Sequence, residues 1–144
     1  MKQSSQTLPL PQAILPHRPP FLFLEAVTRC TDTQAEAYFT FSDEAFFAGH
    51  FPDYPVVPGV ILLEGLAQTL AYLALRLAGP GVVLLTGVDS CKIRRSVAPG
   101  DRVDYAVEVT RTRLKMVVAE GIVSVDGQLV LKAELRGIIE PEQD

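Results

Sequence analysis

An α+β fold, in which a curved antiparallel β-sheet wraps one long central helix, is predicted by three features of this 144-residue sequence. Val60 to Leu77 is almost wholly apolar, broken mainly by Glu64, Gln68 and Arg76. A helix apolar around its circumference must be covered on several sides. Everything after it reads as β-structure, with Asp126-Gly127 as a strong hairpin signal. Two shorter strand-like runs stand before it. A chain of this length fits one domain, assigned to residues 1–144. Residues 1–12 are polar and proline-spaced, and are expected to form a loosely held arm.

The elements follow in order. In ILPHRPPFLFLEAV, Pro16, Pro19 and Pro20 exclude regular helix and central strand; Phe21 to Val27 then reads as a short strand. Ala35 to Phe41, aromatic and β-preferring, is the second. Ser42 to Pro58 is a long connection, and such loops in compact domains are usually functional. The helix starts near Pro58-Gly59 and runs to about Ala78, stopped by Gly79-Pro80-Gly81. Val82 to Val88 is the next strand, and Ala98 to Asp101 a turn. Val103, Tyr105, Val107 and Val109 alternate with less apolar residues. Met116 to Val125 and Leu129 to Ile138 flank the hairpin turn, with Leu129, Leu131, Ala133 and Leu135 facing one way and Lys132, Glu134 and Arg136 the other.

Composition removes several functions. Residues are 48% hydrophobic and 21% charged, which excludes a disordered chain and favours self-association. A net charge of −4 argues against nucleic acid as a partner. The bases nevertheless cluster at Lys92, Arg94, Arg95, Arg102, Arg111, Arg113 and Lys115, a patch suited to an acidic partner. Cys30 and Cys91 have neither metal-ligand nor disulfide-framework spacing. With no signal-like N-terminus and no clean membrane span, a soluble cytoplasmic protein is expected.

The chemistry concentrates in AGHFPDYPVVPGVILLEGLAQ, Ala48 to Gln68. An apolar helix is a costly place for the Glu64 carboxyl unless it is paired or keeps its proton. Gln68, one turn on, shares its face and can fix its rotamer. Tyr72 and Arg76 continue that face and read as a thin polar seam at a solvent or subunit boundary. His50 sits in a loop stiffened by Pro52, Pro55 and Pro58, with Gly49 permitting close approach; a preorganised imidazole suits proton transfer near neutral pH. Gly59 opens the helix, where unsatisfied N–H groups favour negative charge and a missing Cβ lets a carbonyl approach. Base, carboxyl and oxyanion donor together describe proton abstraction beside a carbonyl followed by loss of a leaving group. His17, in the other proline-rich loop, has no nearby carboxylate but Glu25 and is assigned a structural role.

These stretches resemble the β-hydroxyacyl-[acyl-carrier-protein] dehydratases. GHFPDYPVVPGVILLEGLAQ is similar to that family's signature, ILPHRPPFLFLEAV to its LPHRYPF-type segment, and GVDSCKIRRSVAPGD to its strand and turn before PGD. The resemblance runs from about Ile14 to Leu135 and implies the hot-dog fold. It implies His50 as the base removing the C2 proton and Glu64 as the acid acting on the 3-hydroxyl. Gly59 would bind the thioester carbonyl through its N–H, the Val56 carbonyl would orient His50, and Gln68 would position the acid. No metal or organic cofactor is implied. The substrate would be a (3R)-3-hydroxyacyl thioester of an acyl carrier protein, in fatty-acid or polyketide-type synthesis, with Arg94, Arg95 and Arg102 docking the carrier. Histidine and acid of one site would come from different subunits, making a homodimer the minimal unit, with hexamers built as trimers of dimers. A glutamate at 64 matches the dehydratase-only branch rather than the dehydratase-isomerases. Pro19, Gly65 and Ser90-Cys91 depart from the family pattern. The rivals are a hot-dog enoyl-CoA hydratase and a catalytically silent acyl-binding subunit.

Overall fold

The computed structural model describes residues 7–42 and 46–143. Its elements are α1 (Pro11–Ile14), β1 (Ala26–Cys30), β2 (Gln34–Thr40), α2 (Phe46–Gly49), α3 (Gly59–Ala78), β3 (Gly81–Ile93), β4 (Arg102–Arg113), β5 (Met116–Val125) and β6 (Gln128–Pro141). The six strands form one antiparallel sheet in the order β1-β2-β4-β5-β6-β3. Because β3 pairs with β6, the strand leaving the helix crosses to the far edge and the sheet closes around α3.

The helix runs as its pattern predicts. Leu62, Leu66, Leu70, Leu73 and Leu75 are all buried and meet inward side chains of the sheet, among them Val103, Tyr105, Val107, Val117, Leu131 and Leu135. Asp126 and Gly127, at φ 51° and 77°, make the tight turn that joins β5 to β6. At Gly121, β5 passes so near the helix that an added Cβ would lie 3.0 Å from Leu66 Cδ1. This layer is close-packed.

Three elements differ from expectation. The first strand begins at Ala26 rather than Phe21, because the Phe21–Phe23 backbone bonds the Gln68 side chain instead of a ladder. The third extends to Ile93 through the basic stretch, carried by β6 across register shifts at Leu85/Gly87 and Asp89/Lys92. Within the expected arm, the described residues are held against the fold. Residues 1–6 lie outside the described region, but Pro11 is buried, Leu8 packs on the core, and the Pro9 carbonyl accepts the Tyr72 hydroxyl at 2.7 Å. Of the expected connection from Ser42 to Pro58, residues 43–45 lie outside the described region and α2 occupies part of the rest.

Apolar surface remains open on a single chain. Val60 on α3 is 73% exposed, and the β3 edge presents Val82, Leu84, Leu85 and Ile93. By length and composition α3 would cross a membrane, yet it is the mostly buried core helix of this sheet.

Leu66→Ala should lower unfolding free energy by about 2–5 kcal/mol, the range for emptying a leucine site in a close-packed core. Urea unfolding of wild type and variant at one protein concentration checks it; a loss below about 1 kcal/mol would mean the helix–β5 layer can collapse.

Candidate active site

The loop after α2 places the histidine. His50 is half-buried, and its Nδ1 lies 3.1 Å from the Val56 carbonyl oxygen. A carbonyl can only accept, so Nδ1 carries a proton, and in the neutral imidazole Nε2 is the bare nitrogen. Phe51 stacks on the imidazole with centroids 4.3 Å apart and has φ of 57°, a left-handed conformation costing a bulky residue about 1–3 kcal/mol. The Tyr54 N–H closes the turn on the Phe51 carbonyl at 2.7 Å, and the Val57 N–H anchors the loop end to Val97 at 2.8 Å. A side chain at Gly49 would meet open space, so the close approach expected there is not made within one chain.

The helix places the acid. Glu64 Oε2 accepts from Gln68 Nε2 at 3.0 Å. Gln68, fully buried, also donates to the Phe21 carbonyl at 3.0 Å and accepts the Phe23 N–H at 2.8 Å, so its amide is saturated. The segment tied down in this way brings His17 Nε2 to 3.6 Å from the same Glu64 oxygen, both side chains 23% exposed. His17 therefore faces the carboxylate of Glu64, not Glu25, and it is the site residue missed by sequence reasoning. Forty-seven residues separate the two, and no local pattern signals the contact. Burial depresses the His17 pKa, Glu64 opposes that, and Arg18 adds to it. Both of these contacts fall on Oε2.

Gly59 is the first residue of α3, and its cap Pro58 offers no side-chain acceptor for the first-turn N–H groups. An added Cβ would fall 2.5 Å from Ile93 Cδ1, so the glycine also admits the end of β3. Tyr72 is not at a boundary: it is fully buried, and burial pushes its phenol up to about 12 against the opposing charge of Arg76. Arg76 is exposed, as expected. Among the described residues no contact joins His50 to Glu64 of the same chain.

The three candidate docking arginines separate. Arg94 and Arg95 reach β6, through the Arg94 N–H to Val130 and the Arg95 guanidinium to Gln128. Arg102, on β4, stacks 3.8 Å over the Tyr38 ring and pairs with Asp104 at 3.2 Å.

The antiparallel sheet wrapped around one long helix is the hot-dog fold. Residues 15–134 match the family model for the FabA-like domain, and the chain belongs to that family. It is 43% identical over 136 residues to a protein of Campylobacter lari named 3-hydroxyacyl-[acyl-carrier-protein] dehydratase FabZ, covering 89% of this chain and 93% of that one. A FabZ of the same description from Petrotoga mobilis is 39% identical over 124 residues, covering 85% and 89%. Among solved structures, the dehydratase heterocomplex ApeI:P from Xenorhabdus doucetiae shares the fold at a TM-score of 0.81 and 18% identity, covering 94% of this chain and 93% of that one.

A pH dependence of stability follows from His17. Its pKa is lower folded than unfolded, so its contribution is present above the ordinary value of 6.5 and is lost as pH falls through the folded value. Between about pH 7.5 and about pH 5, the urea midpoint should fall more in wild type than in His17→Gln. Equal falls would remove His17 from the acid response.

Proposed function

We propose that this chain is a dehydratase converting (3R)-3-hydroxyacyl-[acyl-carrier-protein] thioesters to trans-2-enoyl thioesters. His50 is the base, Glu64 the acid and the Gly59 N–H the oxyanion donor. The observation that carries this reading is the His50–Val56 contact, which fixes the tautomer with a bare Nε2. Nε2 takes the C2 proton of the substrate. Negative charge builds on the thioester oxygen, where the helix N-terminus and the Gly59 N–H stabilise it. The C3–O bond breaks as the Oε1 proton of Glu64 passes to the hydroxyl, which leaves as water. Gln68 holds the carboxyl through Oε2 while this happens.

The site is completed in a homodimer, His50 of one chain meeting Glu64 of the other. The open apolar surfaces of β3 and Val60 support this, as does the lack, among the described residues, of a contact between His50 and Glu64 of one chain. An acidic carrier protein docks at Arg94 and Arg95. Both are exposed beside Lys92 and Lys132, which stand opposite one another on β3 and β6. Arg102, engaged by Tyr38 and Asp104, contributes less. The setting is soluble and cytoplasmic.

His50→Ala and Glu64→Gln should each lower the rate of enoyl formation by about 10²- to 10⁴-fold, the usual worth of a positioned acid or base. Mixed and refolded together, they should recover about a quarter of wild-type activity, because half the dimers are hybrid and each has one intact site of two. Wild-type rates in either variant would sink the catalytic assignment; no recovery on mixing would sink the shared site.

Arg94→Glu with Arg95→Glu should raise KM for the carrier-protein substrate by about tenfold or more while leaving a short soluble thioester mimic unchanged. Equal loss on both substrates would place the arginines outside docking.

A further inference from the structure

Tyr105 stands on β4 between Ala37 of β2 and Val123 of β5 and turns inward under α3, where it is 1% exposed. Its ring fills the volume that a side chain at Gly65 would take: an added Cβ there would lie 2.2 Å from Tyr105 Cζ and 2.3 Å from its hydroxyl oxygen. Gly65 directly follows Glu64, so the missing side chain lets the phenol reach the turn that carries the proposed acid.

Among the described residues the Tyr105 hydroxyl has no hydrogen-bond partner. The Gly65 carbonyl already accepts from Thr69 Oγ1 at 2.8 Å. A buried hydroxyl without an acceptor costs about 1–3 kcal/mol, and phenylalanine would fill the same volume without that cost. Packing alone therefore does not explain a tyrosine here. Burial holds the phenol above its usual range, and the charge of Glu64 raises it further. The group is thus a donor throughout the neutral range, and Glu64 is the charge it feels.

We propose that Tyr105 is a positioning residue for Glu64, its hydroxyl donating to the Glu64 carboxyl as that group gives up its proton. The inference rests on Glu64 being the acid of the reaction. Tyr105 keeps its own proton throughout; only the Glu64 proton moves, to the departing hydroxyl. A donor of this kind strengthens its bond as negative charge develops on the carboxyl, so it acts in the transition state more than in the bound substrate. The missing side chain at Gly65 is what lets the Tyr105 ring pack under the turn that carries Glu64.

Tyr105→Phe tests this. Its kcat should fall about 10- to 100-fold with KM unchanged, the worth of a hydrogen bond to a charged group. Thermal stability should not fall, since the lost hydroxyl has no partner in the folded chain. The double variant Gly65→Ala/Tyr105→Leu refills the space without a hydroxyl, and its kcat should stay as low as that of Tyr105→Phe. In a Glu64→Gln background, Tyr105→Phe should cost nothing further. Wild-type kcat in Tyr105→Phe, full activity in the double variant, or an additional loss on top of Glu64→Gln would each overturn the proposal. If Glu64→Gln itself retained the wild-type rate, the assignment of the acid would fall; a defective Glu64→Gln beside a fully active Tyr105→Phe would remove Tyr105 alone.

Discussion

The buried amide of Gln68 is the interaction on which the rest of the site depends. One side chain holds the Phe21 carbonyl, the Phe23 N–H and the Glu64 carboxyl together, using both of its protons and its oxygen. A fully buried amide is favourable only when its polar atoms are satisfied, so each of the three partners is held by the cost of losing it. That constraint explains why the proline segment lies against the helix rather than continuing the sheet. It also explains how His17, on the same segment, comes to rest at Glu64. The acid is thereby fixed from a second element as well as from its own helix.

The sheet applies a different constraint. It closes around α3 on the faces carrying Leu62, Leu66, Leu70 and Leu73, but leaves Val60 and the β3 edge bare. An edge strand with exposed leucines and free backbone groups is a pairing surface. In the homodimer proposed above, a second chain covers this apolar strand and brings its own loop toward the open end of the helix. Under that proposal, the surface left open by the fold is also the one across which the site is completed.

Much of this was legible in the sequence because it follows from periodicity. The helix limits at Gly59 and Ala78 follow from a proline before and Gly79-Pro80-Gly81 after, and the β5–β6 turn follows from Asp126-Gly127. Gln68 beside Glu64 is a one-turn relation that any helix imposes. What escaped was every contact made by a side chain with distant backbone. Phe21 to Leu24 has the composition of a strand, and nothing local shows that a glutamine 45 residues away takes the Phe23 N–H. Tyr72 has the spacing of a polar seam, yet the carbonyl it reaches belongs to Pro9, 63 residues earlier in the chain. The fit of Tyr105 to Gly65 is likewise a product of docking. A glycine in a helix signals that something comes close, without saying what.

The proposed base and acid are held by opposite means, and this bears on how the proposed site works. Glu64 rides on a helix whose rotamer choices are closed by Gln68 and His17. His50 rides on a loop, oriented by one carbonyl and braced by a strained neighbour, Phe51. Strain of that kind persists only where surrounding contacts enforce it. Here they are the Phe51–Tyr54 turn, the Val57–Val97 anchor and the following prolines. The acid thus forms the fixed reference of the site, and the imidazole is the part whose placement depends on the loop. In the role proposed for His50, taking a proton from the substrate's C2, little displacement is tolerated. The strain at Phe51 is therefore best understood as the cost of holding an imidazole still on a segment with no regular secondary structure of its own.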